Sequence, residues 1–169
     1  MSNQETTSSA NNNSNPKIIR SEAWSEYKPQ TVIRIFVDTA SVSANAGTSV
    51  INKGVYMIDN RGNLGSAGQG GLDPNTHVRL RDFVGFYIDP IDTTLGDIVS
   101  IEGFQVLSGD IFGSDGFPIK VENVHPNFWV GQVINNSNST YRIKCKLVTG
   151  GLRARTIYFQ WDPHFTVVV

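Results

Sequence analysis

The sequence predicts an all-β protein: a two-sheet antiparallel β-sandwich of jelly-roll type, preceded by a polar N-terminal tail. Three observations carry that prediction. Short runs of alternating apolar and polar residues recur along the chain, separated by Gly, Pro, Asn and Asp. No segment keeps a 3.6-residue apolar period over three turns. Each predicted strand has one apolar face to bury, and two stacked sheets bury all of them at once.

Taken in order, residues 1–16 are mostly Ser, Asn, Thr and Gln. They have too little apolar surface to offset the entropy of ordering, so they read as a tail that is flexible or orders only on assembly. Residues 17–169 form a single β-sandwich domain, large enough to fold with no disulfide or metal. Within it, residues 17–28 carry Trp24 and Tyr27 and read as a strap across the body. Residues 31–38 are the first strand, with Thr31, Ile33, Ile35 and Val37 on one face. Residues 41–49 read as a flexible loop, 55–59 as a short strand and 62–73 as a glycine-rich loop. Residues 78–80 and 84–88 give two short strands, and 89–96 a turn around Pro90.

Residues 97–107 are the longest β signal, with Gly103 marking a bulge or a close backbone approach. Residues 108–116 are a loop, 128–134 a strand carrying Trp129, and 135–139 its turn. Tyr141, Ile143, Cys145 and Leu147 alternate inward against Arg142, Lys144 and Lys146. Gly150 and Gly151 then turn the chain into its final β segment. There Ile157, Phe159 and Trp161 share one face and Tyr158, Gln160 and Asp162 the other. Pro163 removes a ladder donor, so either a new strand restarts at Phe165 or the strand runs on at a sheet edge. Phe159, Trp161, Asp162 and Pro163 are the expected structural centre, with Trp161 in the core and Asp162 accepting from backbone amides to fix the turn.

Composition bounds the function. Charged residues make up 17% of the chain, against about 25% in an ordinary soluble domain. The net charge is −1 and the pI is about 6.3, so a sparsely charged surface meets little long-range repulsion and favours self-association. The single cysteine excludes an intramolecular disulfide and fits a reducing compartment. With no apolar run approaching the ~20 residues of a membrane span, and neither a basic start nor an apolar stretch at the N-terminus, a cytoplasmic protein with no membrane partner is expected.

The chemically suggestive residues lead mostly to structural readings. Residues 68–71, Gly-Gln-Gly-Gly, lack the Lys-Ser/Thr of a phosphate loop and precede no helix, so a turn needing positive φ is expected. His77, His125 and His164 share no metal-ligand spacing, and no metal or other cofactor is expected. Cys145 alternates inward as a core residue, and no serine sits in a nucleophile elbow, so no catalytic residue is assigned and the protein is read as a non-enzyme. Arg142, Lys144, Lys146, Arg153 and Arg155 would cluster across a hairpin, yet the chain is slightly acidic and no nucleic-acid partner is expected. Arg153 and Arg155 share the parity of Ile157, so either a bulge intervenes or that strand starts at Thr156.

Several stretches in sequence order resemble the bacterial inclusion-body protein family of the PixA/AidA type. They are Val37-Asp38-Thr39, Tyr56-Met57, Gly68-Gln69-Gly70 with Leu72, Asp82 before Val84-Gly85-Phe86, Val99 to Phe104 leading to Ser108-Gly109-Asp110-Ile111-Phe112, Tyr141 to Leu147, and Tyr158-Phe159-Gln160-Trp161-Asp162-Pro163. The last is the most specific. Arg81 stands where the family has a glycine, and Cys145 replaces a larger apolar residue. The resemblance implies a cytoplasmic bacterial protein with a β-sandwich body that accumulates in inclusions, its partner being further copies of itself. It carries over no catalytic or ligand-binding residue. A second reading from a different class is a lectin-like module that takes carbohydrate on loops carrying Asp110, Asp115, Trp129, Asn135 and Asn136.

Overall fold

The computed structural model describes residues 28–47, 49–122 and 127–169. The expected tail, the strap with Trp24 and Tyr27, and His125 lie outside them.

Alternation builds the first strand, β1 (Thr31–Val37), whose odd residues are buried. The next segment corrects the sequence reading: residues 41–45, the first part of the flexible loop expected over 41–49, belong to a helix, α1 (Thr39–Asn45). Asp38 is its N-cap and accepts from the Ser41 amide at 3.0 Å, while Val42 is its apolar anchor in the core. There follow β2 (Val55–Asp59), a single 3₁₀ turn at Gly62–Leu64, β3 (Asn75–Arg79), β4 (Phe83–Pro90) and β5 (Ile98–Ser108). A four-residue helical turn, α2 (Gly113–Gly116), sits in the loop leading to β6 (Ile119–Lys120). The chain is completed by β7 (Phe128–Gln132), β8 (Ser139–Val148), β9 (Thr156–Trp161) and β10 (His164–Val168).

Two sheets result, the architecture expected from the sequence. One has the order β2-β1-β4-β7-β6, the other β3-β10-β8-β5 with β9 also paired to β8. Strand direction is mixed, however, where a wholly antiparallel arrangement was expected. β1 runs parallel to β4, with Ile33 beside Phe86, and β10 runs parallel to β3, with Phe165 beside Thr76. The remaining ladders are antiparallel.

Between the sheets lies the main core, containing Ile33, Ile35, Met57, Phe86, Ile88, Val99, Phe112, Tyr141, Ile143, Leu147, Phe159, Trp161 and Phe165. Phe86, Phe112, Tyr141 and Phe165 meet edge-to-face or tilted, at centroid distances of 5.2 to 6.4 Å. A smaller cluster of Phe83, Val121, Phe128 and Val130 lies apart from it.

Two backbone irregularities position side chains. The β5–β8 register slips between Ile101 and Gly103, so Glu102 is the extra residue of a bulge. That slip lets Val99, Ile101 and Phe104 all face inward, although Phe104 has the wrong parity for an unbroken strand. The second is the turn between β3 and β4. There Arg81 has φ +74°, a left-handed conformation in which glycine is at home, and its amide donates to the Val133 carbonyl at 2.7 Å.

β9 begins at Thr156, which leaves Arg153 and Arg155 in the exposed turn after β8. β9 and β10 are separated by Asp162 and Pro163, and the new strand includes Phe165, the first of the two alternatives.

Candidate functional site

The loop end formed by residues 108–116 and 133–138 holds most of the residues considered for carbohydrate. The structure brings Asp110 and Asn135 together: the Asn135 side-chain amide donates to the Asp110 carbonyl at 2.9 Å. The Asp110 carboxylate is directed inward, not outward. Its Oδ1 accepts from the Phe112 and Gly113 amides, at 3.0 and 2.9 Å, and from the Tyr141 hydroxyl at 2.6 Å. Asp115 and Asn136 are exposed on the neighbouring turns. Trp129 is half-buried on β7, where its ring packs 5.6 Å from Phe104, and its indole N–H is buried with no hydrogen-bond acceptor among the described residues.

Tyr141 anchors this end from the middle of the core. Its hydroxyl is pushed far above the usual tyrosine range, first by burial, then by its hydrogen bond to Asp110 and by that charge. The folded state keeps the proton that an unfolded tyrosine loses near pH ~10, so this contribution is fully present below that pH and is lost as pH rises beyond it. Stability should therefore fall by up to about 1.4 kcal/mol per pH unit above ~10 through this group. Tyr141→Phe should abolish that part of the alkaline slope and cost about 1.5–3 kcal/mol at neutral pH, the usual worth of a bond to a charged acceptor. Urea midpoints of both proteins across the alkaline range check it; parallel curves would refute the assignment.

The C-terminal constellation is arranged differently from expectation in one respect. Trp161 is fully buried, and Phe159 nearly so with its ring stacked on the indole at 6.1 Å. The Trp161 indole N–H reaches across to Met57 Sδ on the other sheet, at 3.0 Å. Asp162, expected to accept from backbone amides at the turn, instead takes both arms of the Arg142 guanidinium, at 2.8 and 2.9 Å. A bidentate charge-assisted pair outcompetes amide capping where a strand-face arginine lies directly alongside. The Pro163 carbonyl accepts from the Tyr141 amide at 3.2 Å.

That pairing also changes the basic cluster. Arg142 is bound to Asp162 and Lys146 to Glu102 at 3.2 Å, while Lys144 is exposed. Cys145 is buried beneath them, its thiol pushed well above its ordinary pKa by burial and by the Glu102 charge. His77 Nδ1 donates to the Leu64 carbonyl at 2.7 Å and His164 Nδ1 meets Thr140 Oγ1 at 2.8 Å. Among the described residues, no three metal-ligating side chains converge.

Sequence reasoning missed a buried polar node. Asp82 Oδ2 accepts from the Arg61 guanidinium, the Thr31 hydroxyl and the Arg79 amide, and Arg61 Nε donates to Thr31 Oγ1 at 2.8 Å. Arg61 and Asp82 lie in separate loops with no spacing signal, so only the fold brings them together.

Among the grooves that open on the described surface are two that gather charged and aromatic side chains. One, of about 530 Å³, is lined by Glu102, Lys144, Cys145, Tyr158, Phe159 and Gln160. The other, of about 630 Å³, lies beside Arg34, Tyr56, Asp89 and Ile91. In it the Arg34 guanidinium sits 5.6 and 5.2 Å from the Phe36 and Tyr87 rings and pairs with Asp89 at 2.8 Å. No helix among the described residues is long and apolar enough to cross a membrane.

The glycine-rich loop covers strand edges. Gly70, at φ +80°, donates to the Met57 carbonyl at 2.6 Å, and the Gly71 carbonyl accepts from the Met57 amide at 3.1 Å. This is a turn that requires positive φ, as its sequence indicates, and it closes the outer side of β2.

The fold matches the crystal structure of an inclusion body protein, PixA, from Burkholderia cenocepacia J2315, with a TM-score of 0.65 at 15% identity. The match covers 82% of this chain and 94% of that one. At that identity the likeness is one of fold. No functionally curated protein matches the chain. A family described as a domain of unknown function, DUF8788, matches residues 29–154, from the start of β1 to the turn after β8. The chain belongs to the DUF8788 family.

Proposed function

We propose that this is a non-enzymatic, self-assembling protein whose copies pack into ordered inclusions in a bacterial cytoplasm. The observation that carries this reading is the shared two-sheet fold with a protein described as an inclusion body protein, over nearly the whole of that chain. The surface chemistry supports it. Seventeen per cent charged residues and a net charge of −1 leave little repulsion between copies near pH 6.3. Several large apolar side chains are at least two-fifths exposed, among them Tyr56, Ile58, Ile91, Ile98 and Tyr158.

Microscopy of expressing cells tests the proposal, with refractile bodies as the expected result. In vitro, solubility should be lowest near the pI of about 6.3. It should rise steeply toward pH ~10–11, where lysines lose and tyrosines gain charge, and again below pH ~4, where carboxylates protonate. A purified protein that stays monomeric at high concentration, low salt and its pI would overturn the reading.

A further inference from the structure

Every sheet has edges, and the two sheets here treat theirs unequally. On β2, Gly70 and Gly71 take up the Met57 amide and carbonyl, and the Gln69 side chain accepts from the Asp59 amide at 2.7 Å. On β3, Ala67 exchanges both bonds with Asn75, Ser66 Oγ accepts from the His77 amide and Asp82 from the Arg79 amide. On β9, the Gln160 carbonyl accepts from the Ile51 amide at 3.0 Å, and Arg153 and Arg155 stand just before the strand. β6 is only two residues long. β5 is the exception. It is 11 residues long, ends the β3-β10-β8-β5 sheet, and pairs with β8 alone. Among the described residues, none of its amides or carbonyls has a hydrogen-bond partner outside that ladder.

The second half of β5 is also unguarded chemically. Gly103 to Ser108 contains no charge and no proline, the devices that usually blunt an edge. Val106 and Leu107 are 39% and 40% exposed and Gln105 is exposed. The register slips at Glu102 and Leu107 bracket a short regular stretch between them.

We propose that the outer edge of β5 is the seam through which two copies of this chain join, β5 against β5 in antiparallel register about a two-fold axis, which continues the sheet across both molecules. This rests on the self-assembly reading above. The second copy is the occupant because the segment is complementary to itself. A two-fold at Gln105 sets Phe104 opposite the second copy's Val106, twice over, and Glu102 opposite Ser108. Aromatic and β-branched residues are favoured cross-strand pairs, and no like charges face each other. Such a contact is isologous, and it leaves the rest of the surface free for further packing.

The test uses the one residue that meets itself. Gln105→Lys and Gln105→Glu each place like charges opposite each other, on an exposed side chain outside the core. By sedimentation at the pI and low salt, each variant alone should require roughly tenfold higher concentration to associate than wild type. An equimolar mixture of the two should regain wild-type association. Leu152→Lys, fully exposed in the turn after β8, controls for added charge and should associate as wild type does. Thermal midpoints verify that each variant is folded, and hydrogen exchange on the wild type provides a reading free of mutation: the amides of residues 103–107 should slow on association. Wild type that associates while Gln105→Lys does so equally well would overturn the seam and leave self-assembly standing. Wild type that never associates would overturn both.

Discussion

Trp161→Ala should lower unfolding free energy by about 3–5 kcal/mol, a large share of the roughly 5–15 kcal/mol that holds a domain of this kind together. The indole is fully buried, stacks on Phe159 and reaches Met57 on the facing sheet. Its removal therefore leaves a cavity spanning both layers, and the Met57 sulfur loses its donor. The neighbouring residue supplies the internal control. Tyr158 lies on the same strand with its side chain on the opposite face, 64% exposed, so Tyr158→Ala should change stability by about 0.5 kcal/mol or less. Denaturant midpoints of the two variants decide the matter. Equal, small losses would show that the sheets are not clamped at Trp161.

The second large effect is expected at the polar node. Asp82→Ala removes the carboxylate from a guanidinium whose side chain is only 14% exposed, its partner 11%. An uncompensated buried cation typically costs about 3–5 kcal/mol. The Arg79 amide and the Thr31 hydroxyl lose their acceptor as well. The Arg34–Asp89 pair is comparably short, but its side chains are 46% and 27% exposed. Solvent screens it, and breaking it with Arg34→Ala should cost only about 0.2–1 kcal/mol in charge terms. Because Arg61 and Asp82 act as one unit, the double variant Arg61→Ala/Asp82→Ala should lose less than the sum of the two single losses. Additive losses from the double variant would mean that the pair is not coupled.

Where a strand buries a single face, the sequence states its structure plainly. The alternation of Thr31 to Val37 and of Tyr141 to Leu147 is also their burial pattern, because a pleated strand between core and solvent admits no other arrangement. α1 was illegible for a quantitative reason: seven residues with Val42 as the main apolar anchor are too short to display a period. Its trace was the Asp38 N-cap, a signal that turns and helices share. Strand direction was hidden because pairing partners far apart in the chain are selected by the packed whole, not by local pattern. Arg81 is visible in the sequence only as a residue out of place, and its φ of +74° gives that oddity a location: among the described residues, the one tight turn where a side chain is carried in glycine's conformation. At the candidate loops, backbone capping is the ordinary role of an aspartate in such a turn, and Asp110 accepts from the Phe112 and Gly113 amides; the sequence carries no sign of its third donor, Tyr141, 31 residues along the chain. No spacing rule reveals a partner brought by a different strand.

The parallel ladders β1–β4 and β3–β10 should slow the folding of this molecule. β8 and β9 pair as neighbours along the chain, whereas β3 pairs directly with β10 although β4 to β9 separate them in sequence. Pairings of such long sequence separation pay their loop entropy before any contact rewards them, which places this topology among slow-folding designs. While the chain waits, strands that will be interior in the finished sheet stand with open edges, the state most exposed to encounters with other chains. Encounters between incompletely folded chains should therefore grow with concentration during synthesis.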